Sequence, residues 1–436
     1  MLTSLRPLRS RNFALVWSSA LVSNVGSWMQ TVALGVVVTT RSHDPLWTGA
    51  VAAAAFVPLG LLSPVGGALA DRLDRRRWLV TTTVGEAACA TVLAVLAGTG
   101  HAPSWSLVVL AFAGAVCAGI GFPAYQAMVP DLVPPDDLLG AVSLSSAQFN
   151  LGRVVGPALA GVVLVAGSAA WVFAANAVSF GAVVVALVLV RLPARAPVHD
   201  TGSILRRMAE GARVAAAEPG CRNAIVLIAV VALIGSPFIA LVPAMAIDGF
   251  HRGTAEVAVL VVAQGVGAVC GALALAPLAA RLGRRLVVGA LLAFPLALLG
   301  YGLAPVFWGA AVGITVVGGC YIGVLTGLNT VVQRRAPAAW RGRVLGLYML
   351  ALGLVYSVGA VIQGAIAHVA GIRPVTAVDG ALLLAVMGTL ALTRSPLLAA
   401  LDGGDGGPSP GGPTPRPVEL AVPGTTGVAA GPAPAP

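Results

Sequence analysis

Three ionisable side chains lie inside long apolar runs of the sequence, where an uncompensated charge is costly and a functional role is the usual explanation. Arg153 lies about midway along the apolar run 138–166, Glu86 lies well inside another run, and Asp379 lies near one end of the last run. An arginine at the centre of a bilayer costs about 2.5–3.5 kcal/mol on insertion scales, so Arg153 is expected to face the interior of a helix bundle. These residues are candidates for binding an anionic ligand, for carrying a proton, or for tying helices together.

Amides and aromatic rings in the same runs are candidates for the walls of a polar cavity. Asn150 precedes Arg153 by about one helical turn and is a candidate hydrogen-bonding neighbour. Asn24 lies in the first run. The remaining candidates, which are equally consistent with simple packing, are Gln30, Gln126, Gln148, Asn329, Trp28, Phe149 and Tyr356. Ligand pockets are largely apolar with a few polar contacts, which such a set would provide.

The segment GRVVGPALAG, at 152–161, combines small residues with a proline. Gly152 and Gly156 are four residues apart, and Gly161 follows five residues later. Such spacing lets helix backbones approach closely in a membrane, and Pro157 is expected to bend the helix. The segment therefore predicts either a static packing face or a bending and sealing surface between two halves of the protein.

The segment GGALADRLDRRRWLV, at 66–80, concentrates charge between two apolar runs. Six of the seven residues from 71 to 77 are charged, although only 10% of the chain is charged. Arginines in such a loop favour the inner side of a membrane, where each gains roughly 1 kcal/mol near an anionic leaflet. The residues of interest in this segment are Gly67, Asp71, Arg72, Arg75 and Arg76.

Two residues of this segment predict a conformational latch. Gly67 is expected to permit close approach by a neighbouring helix. Asp71 lies at the C-terminal end of its helix, where the helix dipole disfavours an anion, so it is expected to meet a positive partner. Arg341 and Arg343, at the start of the eleventh run, are the candidates.

The composition indicates an integral membrane protein. The chain has 436 residues, of which 58% are hydrophobic and 10% charged, whereas soluble proteins carry about 25% charged residues. The net charge is +10 and no lysine is present, but the arginines lie between apolar runs rather than on a basic face, so nucleic-acid binding is not expected. Without lysine the chain has no P-loop. The five cysteines are scattered, and no hydrolase or metalloprotease motif occurs, so we expect no metal, cofactor or enzymatic activity.

Twelve apolar runs approach the roughly 20 residues that a helix needs to cross a bilayer, so we predict an all-α membrane protein of twelve transmembrane helices. The alternating short strands of a β-barrel are absent. The predicted spans are 13–40, 46–70, 78–98, 104–128, 138–166, 168–190, 223–248, 254–280, 286–303, 305–333, 342–370 and 374–394.

Arginine placement predicts orientation and domains. With both termini in the cytoplasm, 22 of the 26 arginines fall inside and three outside. The predicted domains are an N-terminal six-helix bundle (1–190), a cytoplasmic linker (191–222), a C-terminal six-helix bundle (223–400) and a disordered Gly/Pro-rich tail (401–436).

The two halves repeat each other. Gly156 and Gly161 recur as Gly359 and Gly364 at a constant spacing of 203 residues, and RLDRR in the first half matches RLGRR in the second. Because the matching motifs occur in the same order in both halves, they predict duplication of a six-helix unit and two pseudo-symmetric halves. Parallel repeats of this kind place a substrate between the halves near the membrane midplane.

These motifs resemble those of the major facilitator superfamily over roughly residues 8–395. The segment 66–80 resembles the superfamily signature G-x-x-x-D-R/K-x-G-x-x-R/K, with Asp74 where glycine is usual and with Ala280 in place of the acid in the second half. The segment 152–161 resembles the antiporter motif G-x-x-x-G-P-x-x-G-G, with Ala160 replacing one glycine.

Three stretches, 26–34, 123–144 and 150–157, resemble the branch of bacterial exporters that includes enterobactin- and macrolide-efflux-like proteins. The resemblance implies a secondary active transporter that exports a drug, siderophore or secondary metabolite by alternating access, with protons as the antiported ion. It implies a monomer surrounded by lipid in the bacterial plasma membrane. The fourth run lacks the arginine of many drug/proton exporters, so proton coupling by that route has no support. The alternatives are an importer or uniporter of a nutrient, and a transport-inactive receptor or scaffold.

Overall fold

The computed structural model describes residues 2–100, 103–190, 204–282, 284–337, 340–393 and 395–399. The described ranges contain twelve helices that are long and apolar enough to cross a membrane, and no strand, which confirms the predicted fold class. The first part of the predicted linker, 191–203, and the predicted tail, 401–436, lie outside the described residues.

The first half contains six long helices. They are α1 (Arg11–Ser42), α2 (Pro45–Arg72), α3 (Arg75–Thr99), α4 (Ser104–Met128), α5 (Leu138–Ala166) and α6 (Ala169–Leu189). Short 3-10 helices precede α1 and α5, at Leu2–Arg9, Val129–Leu132 and Pro135–Asp137.

An amphipathic helix, α7 (Ile204–Ala217), lies within the predicted linker, and the second half begins with a seventh span, Pro219–Gly249. That span consists of α8 (Pro219–Val230) and α9 (Phe238–Ala244), each followed by a π-helical turn, at Val231–Gly235 and Met245–Gly249. The remaining helices are α10 (Thr254–Leu282), α11 (Arg284–Leu303), α12 (Phe307–Arg335), α13 (Arg341–Ala370), α14 (Ile372–Leu392) and the short α15 (Pro396–Ala399).

Acidic N-caps fix where three of these helices begin. Asp44, Asp74 and Glu218 accept backbone N–H bonds from the first turns of α2, α3 and α8, satisfying donors that helix geometry leaves free. Asp74 therefore has a structural reason to replace the glycine of the superfamily signature. The cap at Glu218 also explains why the seventh span begins four residues before the predicted 223.

The two halves pack alike. In the first, α1 packs on α5 and α6, α2 on α4, and α3 on α4 and α6. In the second, α10 packs on α12, α11 on α12 and α14, and α13 on α8 and α14. The halves meet chiefly through α2 against α13 and α5 against α10.

The repeated glycines occupy equivalent contacts. A Cβ on Gly156 would strike Trp28 and Val25 of α1, and a Cβ on Gly359 would strike the Leu233 carbonyl of the seventh span. Both contacts lie within one half. The second glycine of each pair instead faces the opposite half: Gly161 meets Ala258 of α10, and Gly364 meets Pro45 and Leu46 of α2. The same spacing thus provides one contact inside each half and one between the halves.

The role expected of Gly67 when the halves close stays a prediction, but in the described conformation Gly67 does not allow close helix approach. Its neighbour Gly66 does so: a Cβ there would lie 2.5–2.8 Å from backbone atoms of Ile120 in α4, whereas a Cβ on Gly67 would lie 3.9 Å from Pro123, an ordinary contact. Consecutive residues point about 100° apart around a helix, so Gly66 faces the α4 backbone directly, whereas Gly67 meets α4 only through the side chain of Pro123.

We predict that Gly66→Ala lowers the thermal unfolding midpoint of the purified protein. The new methyl group must displace the α4 backbone, an overpacking that costs about 1–3 kcal/mol. Gly67→Ala is the matched control and should leave the midpoint close to that of the wild type. Equal midpoints for the two variants would contradict the described α2–α4 contact.

Candidate binding cavity between the halves

A cavity of about 2540 Å³ lies between the two halves. It is lined by α1, α2, α4 and α5 of the first half and by the seventh span, α10, α12 and α13 of the second, with residues of α7 at its edge. Small-molecule pockets commonly measure 300–1,000 Å³. This cavity therefore has room for a large ligand together with water.

The cavity opens at only one end of the described bundle. Arg72 at the end of α2, Gln333 near the end of α12 and Arg343 at the start of α13 line it and are exposed. Thr48 and Val51, near the start of α2, line the opposite end and are buried. The open end is thus the one at which the arginine-rich loops lie.

Contacts between the halves close the other end. Gly161 of α5 packs on Ala258 of α10, and Gly364 of α13 packs on the start of α2. Gly49 lies against the Ala360 carbonyl so closely that a Cβ would overlap it. Together these backbone contacts form what we call the seal.

Two reciprocal histidine–aspartate pairs flank the seal. His43, after α1, lies 3.7 Å from Asp248 of the seventh span, and His368 of α13 lies 3.0 Å from Asp44, before α2. Each pair joins the two halves. The histidine belongs to the first half in one pair and to the second half in the other. His251 lies close enough to Asp248 to interact electrostatically. Sequence analysis missed these pairs because their members are more than 200 residues apart.

Arg153 lies on the cavity wall and is half-buried. Its guanidinium carbon lies 5.7 Å from the centre of the Trp28 ring of α1. On the side of the second half, the Tyr321 hydroxyl of α12 faces Arg153 and the Ser236 hydroxyl. Among the described side chains, no carboxylate pairs with Arg153. The guanidinium is therefore not neutralised by a described carboxylate, and its described neighbours are Trp28 and Tyr321.

Further aromatic rings extend from Trp28, whose ring lies beside the Arg153 guanidinium. Phe56 of α2 lies 6.3 Å from Trp28 and makes an edge-to-face contact with Tyr356 of α13 at 5.3 Å, measured between ring centres. Edge-to-face pairs at such distances are favourable. Tyr356 follows Arg153 by 203 residues, the spacing that also relates the repeated glycines. The repeat thus places a cation on one wall and a phenol on the other.

A family model described as "Transmembrane secretion effector", from the major facilitator superfamily, matches residues 2–420. The chain belongs to this family. An enterobactin exporter of Citrobacter koseri is 28% identical over 88% of this chain and 94% of its own length. Macrolide efflux protein A of Streptococcus pyogenes is 22% identical over 86% and 94%. The comparisons therefore indicate a multi-pass transporter with exporters among its relatives.

Solved structures agree on the fold. A bacterial homologue of the human lysosomal transporter Spinster, crystallised in an inward-facing and unoccupied conformation, superposes with a TM-score of 0.69. The match covers 92% of this chain and 99% of that chain at 16% sequence identity. At this identity the likeness concerns the transporter fold alone.

Three predicted pathway residues do not line the described transporter cavity. Asn24 donates from its amide to the carbonyls of Gln148 and Phe149, at 3.3 and 3.2 Å, and so ties α1 to α5. Glu86 lies on α3 and Asp379 on α14, two helices that pack on the outer side of their halves and contribute nothing to the lining. A role for either carboxylate in proton transfer stays a prediction. The side chain of Asn150 lies outside the described residues.

The residues of the antiporter-like motif, 152–161, make different contacts. Gly152 packs on Asn24, and Gly156 packs on Trp28, both within the first half. Gly161 contributes to the seal, and Pro157 lines the cavity. In this conformation two glycines of the motif pack within one half and the third contacts the other half; a role of the motif in bending or sealing during transport stays a prediction.

The residues of the charged segment 66–80 also fall into two groups with different contacts. Gly67 and Arg72 line the cavity, whereas Arg75 and Arg76 bind the first half itself. Arg75 donates to the Ala127 carbonyl and the Asp131 carboxylate, at 2.9 and 3.2 Å, and Arg76 donates to the Val188 carbonyl.

One of the two predicted latch partners, Arg343, is engaged elsewhere in this conformation. Arg343 lies 3.5 Å from the Glu210 carboxylate of α7 and 4.5 Å from the centre of the Trp340 ring. The side chain of Asp71 lies outside the described residues. The latch therefore stays a prediction.

We predict that the double variant Asp44→Asn, Asp248→Asn loosens the seal. Asparagine preserves the N-cap of α2 but removes both ion pairs, each worth roughly 0.2–1 kcal/mol when exposed. Spin labels on the two halves, at the exposed Trp171 at the start of α6 and the exposed Trp308 at the start of α12, should show a separated population increased about 1.5- to 5-fold for each pair lost. Asp74→Asn, which changes a cap that joins no halves, is the control.

Proposed function

We propose that this transporter exports a small molecule from the cytoplasm by alternating access. The observation that carries the proposal is the cavity between the halves, open at the arginine-rich end and closed at the other. By the positive-inside rule the arginine-rich end is cytoplasmic, as are both termini. The described conformation is then open toward the cytoplasm of a bacterium and ready to load cargo.

Export rather than import is favoured by the relatives. The printed functions of two proteins that match this chain over most of its length are enterobactin export and macrolide efflux. A nutrient importer or uniporter could share the fold and the cavity. A transport-inactive receptor or scaffold could share them too, but would have no need of a cavity that spans from a sealed end to an exposed mouth.

Rocking of the two halves, α1–α6 and α8–α14, would carry the cargo across. Opening the outer end requires the Gly161–Ala258 and Gly364–Pro45 contacts to separate. Closing the inner end would bring α2 toward the start of α13, where Asp71 is proposed to meet Arg341 or Arg343. Arg343 must then leave Glu210.

Proton antiport is the energy source that we propose, in a working monomer. The described residues that line the cavity include no aspartate, glutamate or histidine. Proton binding therefore belongs to groups away from the cargo, of which Glu86 and Asp379 remain the candidates within the helices. Coupling would pass through the movement of the halves rather than through competition at one carboxylate.

Comparison of culture media from wild-type and deletion strains tests the export proposal. We expect at least one small molecule to be depleted from the medium of the deletion strain and to accumulate inside those cells. Re-expression of the wild-type chain should restore its secretion. A compound that accumulates outside the deletion strain would indicate uptake instead, and identical profiles under every growth condition would contradict transport.

Asp71→Asn tests the latch. Removing the charge abolishes the proposed ion pair, so export should fall by about tenfold while the amount of protein in the membrane is unchanged. Asp136→Asn, in an exposed turn before α5, is the matched control. Normal export by the Asp71 variant would refute the latch without affecting the export proposal.

A further inference from the structure

The charged residues that line the cavity all carry the same sign. Among the described lining residues they are Arg72, Arg153 and Arg343, and none is acidic. A cleft lined by one sign of charge with low-dielectric walls concentrates ligands of the opposite sign. An anion entering from the open end would therefore be attracted along the whole path from mouth to interior.

Only one of the three arginines is placed to select a ligand. Arg72 and Arg343 lie at the exposed mouth, and Arg343 is already paired with Glu210. Arg153 is half-buried between the halves and has no carboxylate partner among the described side chains. A guanidinium offers a planar, paired set of donors that matches a carboxylate, sulfonate or phosphate.

The surroundings of Arg153 suit a flat apolar group. Trp28 and Phe56 lie on the side of the first half, and Tyr321 and Tyr356 on the side of the second. Rings stack or meet edge to face with such side chains. The cavity volume leaves room for a ligand considerably larger than one ring.

We propose that the cargo is an amphiphilic organic anion whose acidic group binds Arg153 and whose planar ring lies among Trp28, Phe56 and Tyr356. The inference rests on the proposed transport function and names the class of its substrate. Both halves contact such a ligand, so its binding would draw them together around the site. Cationic amphiphiles would be excluded, because no described lining residue supplies a negative charge.

A matched probe series tests this proposal on the purified full-length protein in detergent. The probes are naphthalene-2-sulfonate, naphthalene-2-sulfonamide and 2-naphthylmethylammonium, which share a ring system and differ in charge. Titration calorimetry should show the sulfonate binding at least tenfold more tightly than the sulfonamide, with the ammonium compound weakest. Equal affinities, no binding of any probe, or tightest binding of the ammonium compound would overturn the proposal.

Substitutions then assign the preference to Arg153. Arg153→Gln should bring the sulfonate and sulfonamide affinities within about threefold of each other, and Arg153→Lys should keep most of the difference. Arg222→Gln, an exposed change outside the cavity, should match the wild type. A tenfold preference that survives in a folded Arg153→Gln protein would overturn the assignment, and unfolding midpoints show which variants are folded.

Replacing the ring beside Arg153 separates the two parts of the site. Trp28→Leu should weaken all three probes by a similar factor, because it removes stacking and leaves the charge. These titrations need neither a membrane nor an ion gradient, so their results do not depend on the direction of transport. A sulfonate preference without cargo secretion would refute the export proposal but leave the proposed ligand class intact. Secretion of a cationic compound would support export but refute the proposed ligand class.

Discussion

Helix association in a membrane depends on close backbone contact, because lipid chains solvate an apolar helix about as well as another helix does. In this transporter, glycine provides that contact at nearly every important crossing. Gly66 sets α2 on α4, Gly156 sets α5 on α1, and Gly267 and Gly271 set α10 on α12. Tight crossings within each half fix two stiff bundles. The cavity is the space that remains where the bundles do not touch.

The contacts between the halves differ in kind from those within them. The halves are joined along α2 and α13 and, at one end, by the small residues of the seal and two histidine–aspartate pairs. Small residues form a dense contact without interlocking side chains, and such a contact separates without repacking either bundle. The placement of Arg153 and its tyrosine neighbours beyond the seal puts the ligand site where the two bundles diverge.

Sequence alone was sufficient for the spans, because twenty-residue apolar runs leave few alternatives. It was also sufficient to detect the repeat and to predict that Arg153 faces the interior of the bundle, since a charge in the middle of a span must face inward. It was less informative where helix rotation decides the answer: the closest approach to α4 is at Gly66 rather than Gly67, and Glu86 lies on a helix that does not line the described cavity. Uniformly apolar helices carry little periodicity from which rotation can be inferred. The outer His–Asp pairs depend on how two distant chain segments converge, which no local pattern encodes.

The repeat relates Arg153 to Tyr356, and both line the same cavity. A duplicated gene starts with two identical walls, so a charged wall facing an aromatic one records divergence after the duplication. Selection can then alter cargo preference by changing either wall while the glycine crossings, and with them the proposed movement of the bundles, are inherited intact. A family built on this plan can acquire chemically unrelated cargoes through a handful of substitutions.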